Sequence, residues 1–182
     1  MNREHQGPHL TPPVTERDHT HGPLEAPLTL VEYGDYECPY CGAAYPIVKE
    51  VQRRLGDSLR FVFRNFPLAE MHPHAQHAAE AAEAAGAQEQ FWPMHDALYE
   101  HQRTLDDAHL RRHAAELGLD QERFDRELAG HTYAGRVRED VLRGARSGVN
   151  GTPTFFINGR RHDASYDLET LLAALEDAQV TR

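Results

Sequence analysis

The stretch Leu28-Thr29-Leu30-Val31-Glu32-Tyr33-Gly34-Asp35-Tyr36-Glu37-Cys38-Pro39-Tyr40-Cys41 decides how this chain is read. Its first part is mostly apolar and β-favouring, as expected of a central strand buried on both faces. Leu28, Leu30 and Glu32 share one side of the pleat, so Glu32 points where Leu30 points, into the interior. That is an unusual place for a carboxylate. Helical spacing begins straight after the cysteines. Ala44, Ile47, Val48, Val51 and Leu55 form one apolar stripe, and Gly56 sits where the helix should stop. A second strand, Leu59–Asn65, then places Leu59, Phe61 and Phe63 on one face. Strand, helix and strand in this order make a parallel β-α-β unit.

Outward from that unit, residues 67–147 carry no strand signal. Helical spacing fills them: His74–Ala85, Pro93–Gln102, Asp107–Leu117, Gln121–Ala129 and Tyr133–Arg146. Pro93 is expected at a first helical position, Asp106 and Asp120 as N-caps, and Gly118 and Gly130 as C-terminal stops. Phe91, Trp92, His95, Leu98 and Tyr99 form a dense aromatic cluster, expected in the core with His95 packed and hydrogen-bonded. Strand character returns at Thr154–Ile157. Asn158-Gly159 supplies a two-residue hairpin turn, Arg160–Asp163 runs back, and a last helix follows Asp167. The order is β-α-β, a helical block, then β-β-α. An α/β core over 27–66 and 148–182, interrupted by an all-α insertion over 67–147, is expected. Residues 1–26 hold four prolines and four histidines without periodicity and are expected to be a flexible N-terminal segment, with Val14–Asp18 a candidate edge strand.

Composition excludes several classes of function. The formal charge is −10, from 29 acidic against 19 basic residues, and no basic run is present, so nucleic acid and anionic membrane surfaces are not expected partners. No stretch approaches the roughly 18 apolar residues of a membrane span. Met1–Pro23 is polar and lacks the apolar centre of a signal peptide, which points to the cytoplasm.

Cys38 and Cys41 are the only cysteines. A disulfide between them closes a tiny loop and restrains little unfolded-state entropy, so stability is a weak reason for the pair. A buried strand followed by an amphipathic helix places Cys38 at the helix N-terminus, where unpaired N–H groups and the macrodipole stabilise a thiolate. Such a setting lowers a thiol pKa from ~8.5 into the range ~3.5–7.5. Pro39 suits the first turn because its missing N–H is not needed there. Cys41 lies one turn on, within reach of Cys38. An exposed, activated Cys38 as nucleophile and Cys41 as resolving thiol is the expected chemistry. Zinc is the rival, but zinc commonly takes two such pairs, and the spacing of His72, His74 and His77 matches no zinc pattern.

Three features together resemble the DsbA-like branch of the thioredoxin superfamily, from about residue 14 to 179. They are Leu30-Val31-Glu32-Tyr33 ahead of Cys38-Pro39-Tyr40-Cys41, the long helical insertion, and Gly151-Thr152-Pro153-Thr154-Phe155-Phe156-Ile157-Asn158-Gly159. The resemblance implies a thioredoxin-like fold and thiol–disulfide exchange. It also implies that Pro153 is the family's cis-proline beside Cys38, with Thr152 backbone groups left to pair with an extended substrate. Glu32 matches the family's buried acid, which is thought to shuttle a proton for the resolving thiol. Pro39 and Tyr40 are expected to meet substrate. Two positions depart from the family's namesake, which has His where this chain has Tyr40 and Val where it has Thr152. Both departures point away from a strongly oxidising potential.

The expectation is therefore a dithiol oxidoreductase acting on protein or peptide substrates, with no bound cofactor and no metal. Its redox partner would be glutathione or a thioredoxin-like protein, and a monomer is expected. The rivals are a non-catalytic thioredoxin-like peptide-binding module and a metal-binding Cys-x-x-Cys protein.

Overall fold

β-Branched and aromatic residues at alternate or consecutive buried positions make the strands. In the computed structural model, which describes residues 8–181, these are β1 (His19–His21), β2 (Leu28–Gly34), β3 (Leu59–Asn65), β4 (Thr154–Ile157) and β5 (Arg160–His162). The helices among the described residues are α1 (Pro39–Leu55), α2 (Ala75–Gly86), α3 (Phe91–Glu100), α4 (Asp107–Glu116), α5 (Gln121–Ala129), α6 (Ala134–Arg146) and α7 (Leu168–Val180). The strands form one mixed sheet in the order β1-β3-β2-β4-β5. β4 runs antiparallel to β2, with Leu30 opposite Ile157 and Glu32 opposite Phe155. β5 runs antiparallel to β4, across a turn in which Asn158 and Gly159 both have positive φ, 46° and 81°. Two successive positive φ values are what an Asn-Gly hairpin turn requires.

The chain forms two compact units. The first comprises the chain up to Tyr33, Ala44–Arg64, and the chain from Arg143; the second comprises Gly34–Ala43 and Asn65–Leu142. The expected boundaries fell at 66/67 and 147/148. The difference that matters is that Gly34–Ala43, with both cysteines, groups with the helical unit.

In the first unit, Leu30, Val31, Phe61, Phe63, Phe155 and Phe156 are buried on the sheet, with Val48 and Val51 of α1 and Leu171 and Leu175 of α7. The flexible segment expected from the sequence spans residues 1–26; residues 1–7 lie outside the described residues, and 8–26 are hydrogen-bonded within this unit. Arg64 is fully buried and donates to Asp18 through Nε and Nη2 (both 2.9 Å), to the Tyr33 hydroxyl (2.9 Å) and to the carbonyls of Pro12 and Pro13 (3.2 Å each). Leu10 N–H donates to the Gly159 carbonyl (2.8 Å), and Thr11 N–H to Ser147 Oγ (2.8 Å). The segment is held by backbone bonds and by buried Asp18, which pairs with Arg64 and, at 3.5 Å, with Arg143; neither kind of contact produces apolar periodicity. The edge strand of this segment is β1, antiparallel to β3 with His19 opposite Phe63, and not Val14–Asp18.

In the second unit, α2 presents Ala75, Ala78, Ala79, Ala81, Ala82 and Ala85 as a buried surface, small enough for α3, α4 and α5 to pack closely. Asp106 caps α4 by accepting from Ala108 and His109 N–H, and Asp120 caps α5 by accepting from Arg123 N–H. α3 starts at Phe91, so Pro93 is its third residue and not its first. Its missing N–H is harmless there, because the first four N–H groups of a helix have no intrahelical partner.

Candidate active site

Cys38 immediately precedes α1 and has the bonding of an N-cap residue: its carbonyl accepts the Gly42 N–H at 3.0 Å. Its own N–H donates to the Asp35 carbonyl at 3.1 Å. Cys38 and Cys41 lie close together, and neither is in a disulfide. Pro39 and Tyr40 between them are exposed, Tyr40 by 67%. The expected exposure of Cys38 is not found: it is 3% exposed, and Cys41 is fully buried. The dipeptide forms the surface while the sulfur-bearing residues turn inward.

Two side chains that carried no role in the sequence, Gln102 and Asp35, brace this turn. Gln102 Nε2 donates to the Cys38 carbonyl at 2.6 Å. Gly42 makes room for it, since a Cβ there would lie 2.1 Å from Gln102 Oε1. Asp35, 1% exposed, accepts from Glu37 N–H (2.8 Å), Leu68 N–H (2.9 Å) and His72 Nδ1 (2.7 Å). Burial pulls the His72 pKa down, but its hydrogen bond and charge interaction with Asp35, helped by the charges of Cys38 and Glu37, outweigh that and hold it above the ordinary histidine value. Asp35 had one visible signal, an acid where an apolar strand gives out ahead of the motif. Gln102 had none.

The aromatic cluster is core as expected except at Trp92, which is half-buried. Phe91, His95, Leu98 and Tyr99 are buried, and His95 Nδ1 lies 2.9 Å from the Tyr36 hydroxyl. Tyr36 also packs on the Tyr99 ring at 4.8 Å between centroids.

Glu32, Thr152 and Pro153 belong to the first unit. Glu32 is 2% exposed on β2. Thr152 and Pro153 are half-buried just ahead of β4, and the peptide between them is cis.

A family model described as Thioredoxin matches residues 14–177. The chain belongs to the thioredoxin family. Within that family its α/β fold with an all-α insertion is DsbA-like. The oxidised BdbD of Bacillus subtilis superposes with a TM-score of 0.82 at 24% identity, covering 96% of this chain and 97% of that one. A thioredoxin-like oxidoreductase of Silicibacter pomeroyi gives 0.80 at 26% identity, over 91% and 94%. α-DsbA1 of Wolbachia pipientis gives 0.81 at 19%, over 92% and 94%. Among curated relatives, a protein named Na(+)/H(+) antiporter NhaA 1 of Salinispora arenicola is 52% identical over 169 residues, which is 93% of this chain and 26% of that protein. The NhaA 3 of Salinispora tropica is likewise 52% identical, over 171 residues. This thioredoxin-family chain thus spans about a quarter of the length of these curated relatives.

Proposed function

We propose that this chain is a thiol–disulfide oxidoreductase working through Cys38-Pro39-Tyr40-Cys41. The observation that carries the proposal is Cys38 capping the N-terminus of α1, with Cys41 close by and an exposed dipeptide between them. The Cys38 thiolate attacks one sulfur of a substrate disulfide; the other substrate sulfur leaves and takes a proton. The Cys41 thiolate then attacks Cys38 Sγ in the mixed disulfide and releases the second substrate thiol. Two electrons pass to the substrate, and the Cys38–Cys41 disulfide is left. Run backwards, the same steps oxidise a dithiol. The roles of Glu32 as proton acceptor for the resolving thiol, and of Thr152 and Pro153 in holding an extended substrate, are carried over from the family resemblance. Glutathione or a thioredoxin-like protein serves as redox partner.

The low exposure of Cys38 favours a second reading, a non-catalytic peptide-binding module. Insulin reduction and mixed-disulfide trapping separate the two. The wild type is expected to turn over, Cys38→Ser to be inactive, and Cys41→Ser to accumulate mixed disulfides. A wild type without turnover and a Cys41→Ser variant without adducts leave the binding module. Because Tyr40 brings no positive charge to the dipeptide, the potential is expected between roughly −160 and −240 mV, against ~−120 mV for DsbA and ~−270 mV for thioredoxin. Equilibration with glutathione buffers measures it.

In the longer relatives, the matched quarter is read as a thioredoxin-family module, and the antiport in their names as the work of the remaining sequence. No helix among the described residues of this chain is long and apolar enough to cross a membrane.

A further inference from the structure

On the helical unit, His77, Glu80 and His131 converge, with one ligand atom from each lying within 4.8 Å of the others. His77 and Glu80 stand three residues apart on α2 and therefore share a face. His131 follows α5, with its backbone in the left-handed region at φ 50°. Residues with a β-carbon rarely adopt that conformation, and where they do the surroundings hold them there. The Glu80 side chain is 2% exposed, yet it faces an imidazole: His131 Nδ1 lies 3.1 Å from Oε1 and 3.4 Å from Oε2. Gln76 Nε2 also donates to Oε2, at 3.2 Å. His77 is oriented from behind. Its Nδ1 is 2.7 Å from Asp107 Oδ1, at the start of α4, which leaves Nε2 as its ligand atom. The two histidine rings lie 5.0 Å apart, and both reach solvent.

We propose that His77, Glu80 and His131 bind a divalent transition-metal ion of the zinc type, with Asp107 orienting His77. Two imidazoles and one carboxylate are a zinc donor set, whereas calcium and magnesium take oxygen ligands. Zinc bonds of ~2.0–2.2 Å in a tetrahedron place ligand atoms ~3.4 Å apart. The present spacing, up to 4.8 Å, is wider than that, and with His77 held by Asp107 the closing movement falls to the more exposed His131 ring. The Asp107–His77 pair is the carboxylate–histidine arrangement that fixes tautomer and ring direction at metal sites. Three protein ligands leave a fourth position open to water or another ligand. Ligation takes the imidazoles in their neutral form. The site shares no residue with the thiol pair and does not depend on thiol chemistry.

The test is calorimetric titration of Zn2+ into the full chain carrying Cys38→Ser and Cys41→Ser, so that no thiol competes. One ion per chain is expected, with calcium giving no signal. Affinity should fall at least tenfold in His77→Asn and in His131→Asn, and by about 10–100-fold in Asp107→Asn with the stoichiometry kept. Because Glu80 is buried and Glu80→Gln can disturb folding, the deciding variant is His131→Asn, whose side chain reaches solvent. In NMR, the His77 and His131 imidazole signals should shift together on titration. No uptake, or uptake that His77→Asn and His131→Asn leave unchanged, overturns the proposal; the second result would place the ion on other histidines, such as those of the N-terminal segment.

Discussion

Asp35 accepts three hydrogen bonds on its two carboxylate oxygens inside the protein, and its carbonyl accepts the Cys38 N–H. Asn in its place keeps one acceptor oxygen and turns an N–H2 group toward donors. Leaving buried donors unsatisfied costs about 1–3 kcal/mol, so Asp35→Asn is expected to destabilise by that order in denaturant titrations. Part of the loss depends on pH. The His72 pKa is raised in the folded protein, so its pairing with Asp35 stabilises fully below the unfolded histidine value and is lost as pH rises through the folded one. The penalty of Asp35→Asn should therefore shrink from mildly acidic to alkaline pH, down to the share of the Glu37 and Leu68 N–H bonds. A penalty that stays constant with pH would remove the His72 contribution.

At the scale of the element, the first turn of α1 joins two opposed preferences at Gly42. Glycine inside a helix is less favourable than alanine by ~0.8–1.0 kcal/mol, but a Cβ there displaces the flexible end of Gln102 from the Cys38 carbonyl. That hydrogen bond is worth ~0.5–1.5 kcal/mol. Gly42→Ala should leave stability within about 1 kcal/mol of wild type, whereas Gln102→Ala alone should lower it. Adding Gly42→Ala to Gln102→Ala should raise it again; strict additivity of the two would disprove the coupling. The same turn shows what a sequence makes legible. β3, β4 and α5 begin and end at the residues that their apolar spacing and turn signals predicted, and Asp106, Asp120 and Asp167 cap as their positions implied. The Gln102–Cys38 and Asp35–His72 bonds span 64 and 37 residues and leave no periodic trace. For the same reason the Arg64–Asp18 pair, which secures residues 8–26, was invisible.

Across the whole molecule, both units are discontinuous in sequence, and the first is completed only by the chain from Arg143 onward. β2 lies between β3 and β4, yet β4 comes more than a hundred residues after it. A chain emerging from the ribosome can therefore assemble β2 and β3 early, but the second edge of β2 stays without its neighbour while the whole helical unit is made. An unpaired strand edge of this kind is a template for wrong pairing between chains. Nascent chains stalled before Thr154 should bind holdase chaperones and pellet on release, whereas chains extended through α7 should stay in solution. Fractionation of the two lengths after translation in a purified system tells them apart, and equal solubility would mean that the waiting edge is covered by another part of the chain. Slow passage of ribosomes through the codons for 66–153 would prolong that exposure, so translation speed, as well as stability, governs how much folded protein a cell recovers.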